Sequence, residues 1–305
     1  MKAVIFGLGS IGQRHARLLK ERDCEIYSVR SGKSSGKTPD GITAITEEEL
    51  STIKPDFAVI ANPTSLHVET ATRCAQDGID LFIEKPLSDR IKGLDALRKA
   101  TEKHGVTVYV GYCLRFHPII RWLKENLKGT PAHITCSCSS YLPSWRKTPH
   151  LESFAANKGM GGGVILELSH EIDYLTYLFG TPEVVAVQSG RQSDVTVDAE
   201  DSADILLKFN SSHCNLHLDF LSRHKSRELV IDYHDRTLVA DLIKNTITII
   251  DDEEQKTENF RFERDDMYRE QLAYFIENRK GELMNGLAEA SATLKTILAI
   301  REAAS

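Results

Sequence analysis

The sequence predicts an α/β chain in two parts: an amino-terminal parallel sheet covered by helices, then an α+β part built on a large, mostly antiparallel open sheet. Three observations predict it. Short apolar strands alternate with amphipathic helical stretches over the first third, β-rich runs crowd together from about residue 134, and a glycine-rich turn joins the first strand to the first helix.

The first strand is Ala3 to Phe6, apolar and bounded by glycine, and Gln13 to Lys20 alternates polar and apolar residues at helical spacing. Between them lies Gly7-Leu8-Gly9-Ser10-Ile11-Gly12. In a dinucleotide-binding Rossmann unit the first glycine allows the tight turn, the second lets backbone approach the pyrophosphate, and the third packs helix on strand. The strand-to-helix context predicts such a site, with Gly7, Gly9, Ser10, Ile11 and Gly12 against the pyrophosphate at the helix N-terminus.

The next strands are Glu25 to Val29, Phe57 to Ala61, Leu81 to Ile83 and Val106 to Val110, with helical stretches between them. Ligands of such sheets bind beyond the carboxyl ends of the strands, which singles out Asn62, Pro63, His67 and Glu84 with Lys85 as cofactor-facing residues. An acidic residue at the end of the second strand would bind the ribose hydroxyls of NAD, but this strand runs into Arg30-Ser31-Gly32-Lys33. Arg30, Ser31 and Lys33 suit a 2′-phosphate instead, so NADP(H) is expected over NAD(H), against the alternative of a solvated basic loop.

Two segments offer proton-transfer chemistry. In Phe82-Ile83-Glu84-Lys85-Pro86 the lysine falls at a strand end, where it can act as acid or base at a substrate hydroxyl, and Pro86 is a candidate for a cis bond that aims it. In Gly161 to Gly180 a glycine-led helix from about Gly163 to Leu178 sets Glu167, His170, Asp173, Tyr174 and Tyr177 on one face, with Ile165, Leu168, Ile172, Leu175 and Leu178 opposite. His170 would contact a substrate oxygen, with Glu167 or Asp173 orienting its ring; a salt-bridged solvent face is the alternative. Substrate contacts are expected from Arg115, Tyr141, Trp145, Arg146 and Tyr174, although Arg115 is equally suited to a tie between domains. No third ligand completes a metal site.

From Ile134 the β-rich runs are His133 to Tyr141, Val184 to Ser189, Ala203 to Phe209, His213 to Phe220, Glu228 to Tyr233, Thr237 to Leu242 and Thr246 to Ile250. Helical patterning returns near Asp265. The expected division is a dinucleotide-binding domain over 1–119 and a substrate-binding and oligomerisation domain over 120–305. A net charge of −6 over 305 residues gives no reason for a nucleic-acid partner, and no apolar run spans a bilayer. Six scattered cysteines without a C-x-x-C pair indicate neither disulfides nor zinc, and a cytoplasmic location is expected.

Taken in order, GLGSIG, IANPTSLHVE, IEKPLS and the glycine-led HEID helix resemble the Gfo/Idh/MocA family of oxidoreductases. The resemblance implies a Rossmann domain followed by an open sheet used for substrate binding and often for oligomer contacts. It implies hydride transfer between nicotinamide and a carbon of a sugar, a sugar derivative or a cyclitol, with Lys85 as catalytic lysine and His170 as catalytic histidine. The family's aspartate four residues before the histidine is Leu166 here, with Glu167 beside it, and Cys113 stands where asparagine is common. The LSHE-D helix, LRFHP and YLPSW are similar to a branch tied to bacterial surface sugars, which implies a nucleotide-activated or acidic sugar. A homodimer or homotetramer through the second sheet is expected. Two alternatives are a non-catalytic cofactor sensor and a redox-neutral enzyme that recycles a tightly held cofactor.

Overall fold

The computed structural model describes residues 1–29, 36–38, 41–145, 161–194 and 198–304, which form two compact units. The first comprises Met1–Cys113 and Asp265–Leu294. Its strands are β1 (Lys2–Phe6), β2 (Glu25–Val29), β3 (Gly36–Lys37), β4 (Thr43–Ile45), β5 (Phe57–Ile60), β6 (Asp80–Ile83) and β7 (Val108–Val110). Helices α1 (Ser10–Lys20), α2 (Leu50–Ile53), α3 (His67–Gln76) and α4 (Leu94–His104) lie between them.

Among the described residues these strands form one sheet in the order β3-β4-β2-β1-β5-β6-β7, parallel except for the β3-β4 pair. The chain moves one way from β1 to β2 and the other way through β5, β6 and β7, so the topological switch point lies beside β1, where doubly wound sheets bind ligands. Residues of β5, β6 and β7 are buried throughout, the pattern of strands covered on both faces. β3 and β4 escaped the sequence reading because five residues with little apolar content carry no periodicity to detect.

The units are not two consecutive blocks of sequence. Helix α8 (Arg264–Asn278) and the first part of α9 (Leu287–Ala303) belong with the parallel sheet rather than with the 120–305 block expected of them. Phe275 sets its ring edge-on to Phe57 and Phe82, at centroid distances of 5.4 and 5.6 Å. Arg279 and Lys280 reach the buried carboxylate of Asp80 at 3.1 and 2.8 Å. Such pairing is invisible to a local pattern, because an amphipathic helix does not say which core it covers.

The second unit comprises Leu114–Arg264 with Lys295–Ser305. Its elements are α5 (Pro118–Asn126), β8 (His133–Ser139), α6 (Val164–Glu167), α7 (Ser169–Phe179), β9 (Glu183–Gly190), β10 (Ser202–Phe209), β11 (Ser212–Asp219), β12 (Ser226–Asp232), β13 (Thr237–Asp241), β14 (Thr246–Ile250) and β15 (Gln255–Asn259). The strands order as β15-β14-β13-β12-β8-β11-β10-β9, and every neighbouring pair is antiparallel except β8-β11. Asn210 at φ +53° opens the two-residue turn between β10 and β11, a conformation asparagine tolerates. β15 reads Gln-Lys-Thr-Glu-Asn, a polar edge strand without a hydrophobic alternation, and was not anticipated.

One face of this sheet is apolar: Ile134, Cys136, Ile205, Leu207, Leu216, Leu229, Ile231 and Ala240 are buried. Helix α6 lies against β10 and β11, α7 against β8, and α5 against α7. The expected single helix over 163–178 is broken, since Leu168 (φ −93°, ψ 27°) ends α6 before α7 begins. All six cysteines are buried and none is in a disulfide, and burial pushes the thiols of Cys138 and Cys214 up to about 12.

Candidate active site

The three glycines of the first turn have three separable reasons to be glycine. Gly7 sits at φ +91°, and a Cβ there would lie 2.7 Å from the Ala61 carbonyl oxygen. A Cβ on Gly12 would fall on the carbonyl oxygen of Gly7. Only a hydrogen fits between helix and turn. Gly9 differs: it is extended at φ −69°, ψ −172°, caps α1 without any side-chain hydrogen bond, and faces open space.

No acidic residue lies in the first turn of α1, so its leading backbone N–H groups and the positive end of its dipole face that space uncontested. This cradle fits a dinucleotide pyrophosphate, with Ser10 exposed and Ile11 half-buried in the first turn. Arg30, Ser31 and Lys33, expected at the 2′-phosphate, lie outside the described residues.

Beyond β1, β5 and β6 the ladder continues past the strands. Ala61 N–H donates to Phe6, Glu84 N–H to Ile60 and Gly111 N–H to Ile83, so the strand-end loops start in register. The Lys85-Pro86 bond is cis. Around Lys85, two buried histidines contact the loop. His15 of α1 places Nε2 2.5 Å from Glu84 Oε1, while Glu84 Oε2 accepts from the Lys85 backbone N–H at 3.2 Å.

His67 places Nδ1 2.9 Å from the Pro86 carbonyl and Nε2 2.9 Å from the Asn62 carbonyl. Burial pushes its pKa down, against those two carbonyls. Its ring therefore joins the loops after β5 and β6, and the Asn62 side chain turns to donate to Thr70. Pro63 is half-buried beside them. His15 was missed in the sequence, although its position three residues after Gly12 puts both on the sheet-facing side of α1.

In the second unit the residues expected to touch substrate divide into two groups. Arg115 is buried and pairs bidentately with Asp173, and its guanidinium stacks 4.7 Å from the Tyr177 ring centroid. Arg115 and Asp173 are thus paired within the second unit. Tyr174 is also fully buried, its hydroxyl 3.1 Å from Cys136 Sγ, and burial raises its pKa.

The other group is more open. Tyr141 is half-buried under the Arg223 guanidinium at 4.4 Å, and Trp145 is exposed while donating to Ser140 Oγ at 3.0 Å. Arg146 lies outside the described residues. Glu167 and His170 are both half-buried and stand on opposite sides of the break at Leu168. Between His170 and Asp173, Glu171 is fully buried, with Oε1 2.8 Å from Arg227 Nε. So the polar side of α7 is an interior lined by two ion pairs, in place of the solvent face the sequence left open.

Gly161 and Gly163 both take positive φ, and a Cβ on Gly163 would meet the Glu200 carboxylate. Among the described residues no cluster of three His, Cys, Asp or Glu side chains could hold a metal ion. No described helix is long and apolar enough to cross a membrane.

Comparison with known proteins gives matches to both units. Residues 1–112 match the GFO/IDH/MocA oxidoreductase family with its NAD-binding Rossmann fold, and residues 116–239 match the GFO/IDH/MocA C-terminal domain. The chain is 26% identical to myo-inositol 2-dehydrogenase of Thermotoga maritima, over 92% of this chain and 88% of that protein. It is 23% identical to 2,7-anhydro-N-acetylneuraminate hydratase of Mediterraneibacter gnavus, over 68% of this chain and 58% of the relative.

A third relative is UDP-N-acetylglucosamine 3-dehydrogenase of Acidithiobacillus ferrooxidans, 24% identical over 82% of this chain and 76% of that protein. A solved structure of that enzyme superposes with a TM-score of 0.82 at 20% identity, covering 99% and 97% of the two chains. With the glycine cradle and both family domains in sequence, this chain belongs to the Gfo/Idh/MocA family of oxidoreductases.

Proposed function

We propose that the chain is an NAD(P)-dependent dehydrogenase acting on a CH–OH carbon of a sugar, a sugar derivative or a cyclitol, with NADPH held more tightly than NADH. The observation that carries the reading is the cradle itself: Gly9 open, Gly12 closed on Gly7, and an uncapped helix N-terminus at the switch point of a parallel sheet. A bound nicotinamide would supply the hydride acceptor or donor.

The chain's own residues would do the rest. Gly7, Gly9, Ser10, Ile11 and Gly12 hold the pyrophosphate through backbone N–H groups, and Arg30, Ser31 and Lys33 hold the 2′-phosphate. Asn62, Pro63, His67 and Glu84 shape the loops that receive the nicotinamide ribose. Lys85 holds or releases the proton at the substrate oxygen, and His170 is a second candidate for that role. Asp173 pairs with Arg115 and Glu171 with Arg227, and Glu167 is the acid assigned to orient His170. Tyr141, Trp145 and Arg146 offer rings and charge to the sugar portion, which the nucleotide-sugar relative favours as an activated sugar.

A redox-neutral reaction is the second reading, and the hydratase relative favours it, because hydration leaves no net change in nicotinamide oxidation state. Six buried cysteines with no disulfide among them support a reducing, cytoplasmic setting. The outer face of the second sheet carries half-buried Leu206, Val230 and Val239 among threonines, a surface suited to a second copy of the chain as a dimer or tetramer.

The deciding experiment is a fluorescence titration of dinucleotide-free protein with NADPH and NADH in parallel. Tighter NADPH binding upholds the reading in full, and equal or reversed affinities remove the 2′-phosphate assignment. Absence of binding by either dinucleotide defeats the enzyme reading. Dinucleotide that stays bound through purification and is not consumed in turnover selects the redox-neutral alternative.

A further inference from the structure

We propose that His15 and His67 are positioning residues for Lys85, gripping the loop after β6 from two different helices. The inference rests on the reading of Lys85 given above, but its geometry stands by itself. Glu84, Lys85 and Pro86 are consecutive. The residue before the lysine is held by a histidine of α1, and the residue after it by the histidine that opens α3.

The grip from α1 begins with burial. His15 is fully buried and Glu84 is 7% exposed, so their contact at 2.5 Å is shielded from competing water. His15 Nδ1 is a buried atom with no hydrogen-bond partner among the described residues. An unpaired buried N–H is costlier than an unpaired lone pair here, so the tautomer that carries its proton on Nε2 and donates to Glu84 is the favoured one.

Glu84 then passes the constraint on. Its second oxygen accepts from the Lys85 backbone N–H, which pins the peptide that carries the lysine. Rings of Phe82 and Tyr268 stand around the imidazole, with centroids at 4.9 and 6.4 Å, and hold it against rotation. Since His15 lies on the helix whose N-terminus faces the open space at Gly9, the cradle and the lysine segment are joined by one side-chain contact.

The grip from α3 is complementary. His67 is 2% exposed, with one ring nitrogen toward Pro86 and the other toward Asn62, so the loops after β5 and β6 are tied through one ring. A neutral imidazole has a single N–H, so in either tautomer one carbonyl accepts a hydrogen bond and the other packs against the ring. Both act on Lys85 through neighbours.

Pulse acetylation of the intact protein, read by peptide mass spectrometry, tests this. The quantity is the labelling of Lys85 relative to Lys99, an exposed lysine of α4 in the same unit. His15→Leu and His67→Leu are each expected to raise the ratio about threefold or more by loosening the loop. His15→Gln, whose amide still donates to Glu84, is expected to keep it within about twofold of the unaltered protein.

If leucine at 15 prevents folding, Glu84→Gln carries the test at constant volume, with an expected ratio between those limits. An unchanged ratio in either leucine variant overturns the proposal. So does a glutamine variant that labels as fast as leucine, because packing alone would then explain the effect. The measurement reads where Lys85 is held whether or not the lysine handles a proton, so its failure is separate from a failure of the dehydrogenase reading.

Discussion

Arg115 and Asp173 meet as a bidentate ion pair, Nε to Oδ2 at 2.9 Å and Nη2 to Oδ1 at 2.7 Å, with 1% of each side chain exposed. Breaking a pair so buried strands one charge without water. Asp173→Leu or Arg115→Met is expected to cost about 3 to 5 kcal/mol in chemical denaturation, and the double replacement Arg115→Met with Asp173→Leu markedly less than the sum. Additive losses would mean that the two residues act independently.

The glycines of the cradle separate folding from binding. Gly9→Ala places its methyl in open space at an ordinary φ, so the melting temperature is expected to stay put while dinucleotide affinity falls at least about tenfold. Gly12→Ala drives a methyl into the Gly7 carbonyl and is expected to lower both. Calorimetry and a dinucleotide titration on the same samples read the two effects apart.

Removing the amine of Lys85 tests its chemistry. Lys85→Met is expected to reduce turnover by about a hundredfold or more, with dinucleotide affinity held within about threefold. Wild-type turnover in this variant would remove Lys85 from the mechanism.

Two histidines of the second unit make stability depend on pH in opposite directions. Burial lowers His117 from 6.5 to about 4, so the unfolded chain binds the extra proton between those values and stability is lost as pH falls through that window. The full loss corresponds to about 3 kcal/mol. His117→Asn is expected to flatten the acid limb of a plot of unfolding free energy against pH.

His217 behaves the other way. Partial burial opposes its charge, but hydrogen bonds to Asp204 and Asp219 outweigh that and raise its pKa above 6.5. Its contribution is complete below the unfolded value and fades as pH rises through the folded one. His217→Gln is expected to remove that decline as pH rises above 6.5, and since the side chain is 42% exposed, salt should weaken the effect in the unaltered protein.

What could be read from the sequence follows from how local each signal is. β1, the glycine turn and α1 were legible because turn chemistry and periodicity lie within twenty consecutive residues. Lys85 could be placed at a strand end because Leu81 to Ile83 is a short apolar run. The partner of Arg115 was not legible, since its carboxylate lies 58 residues away and a charge does not announce whether it meets solvent or an ion. The break at Leu168 was hidden for a different reason: apolar residues continue through it, and a helical period tolerates one displaced turn. His15 read as one more polar residue of an amphipathic helix, because nothing in its neighbours points to Glu84.

The discontinuity of the first unit has a consequence during synthesis. The 151 residues from Leu114 to Arg264 are made after the parallel sheet and before α8. At ordinary elongation rates that interval is about eight to thirty seconds. Throughout it the nascent sheet has no Phe275 to cover Phe57 and Phe82, and no Arg279 to neutralise Asp80. The first unit is thus started early and sealed late, and for that interval its aromatic flank is a sticky surface that a ribosome-associated chaperone is suited to shield.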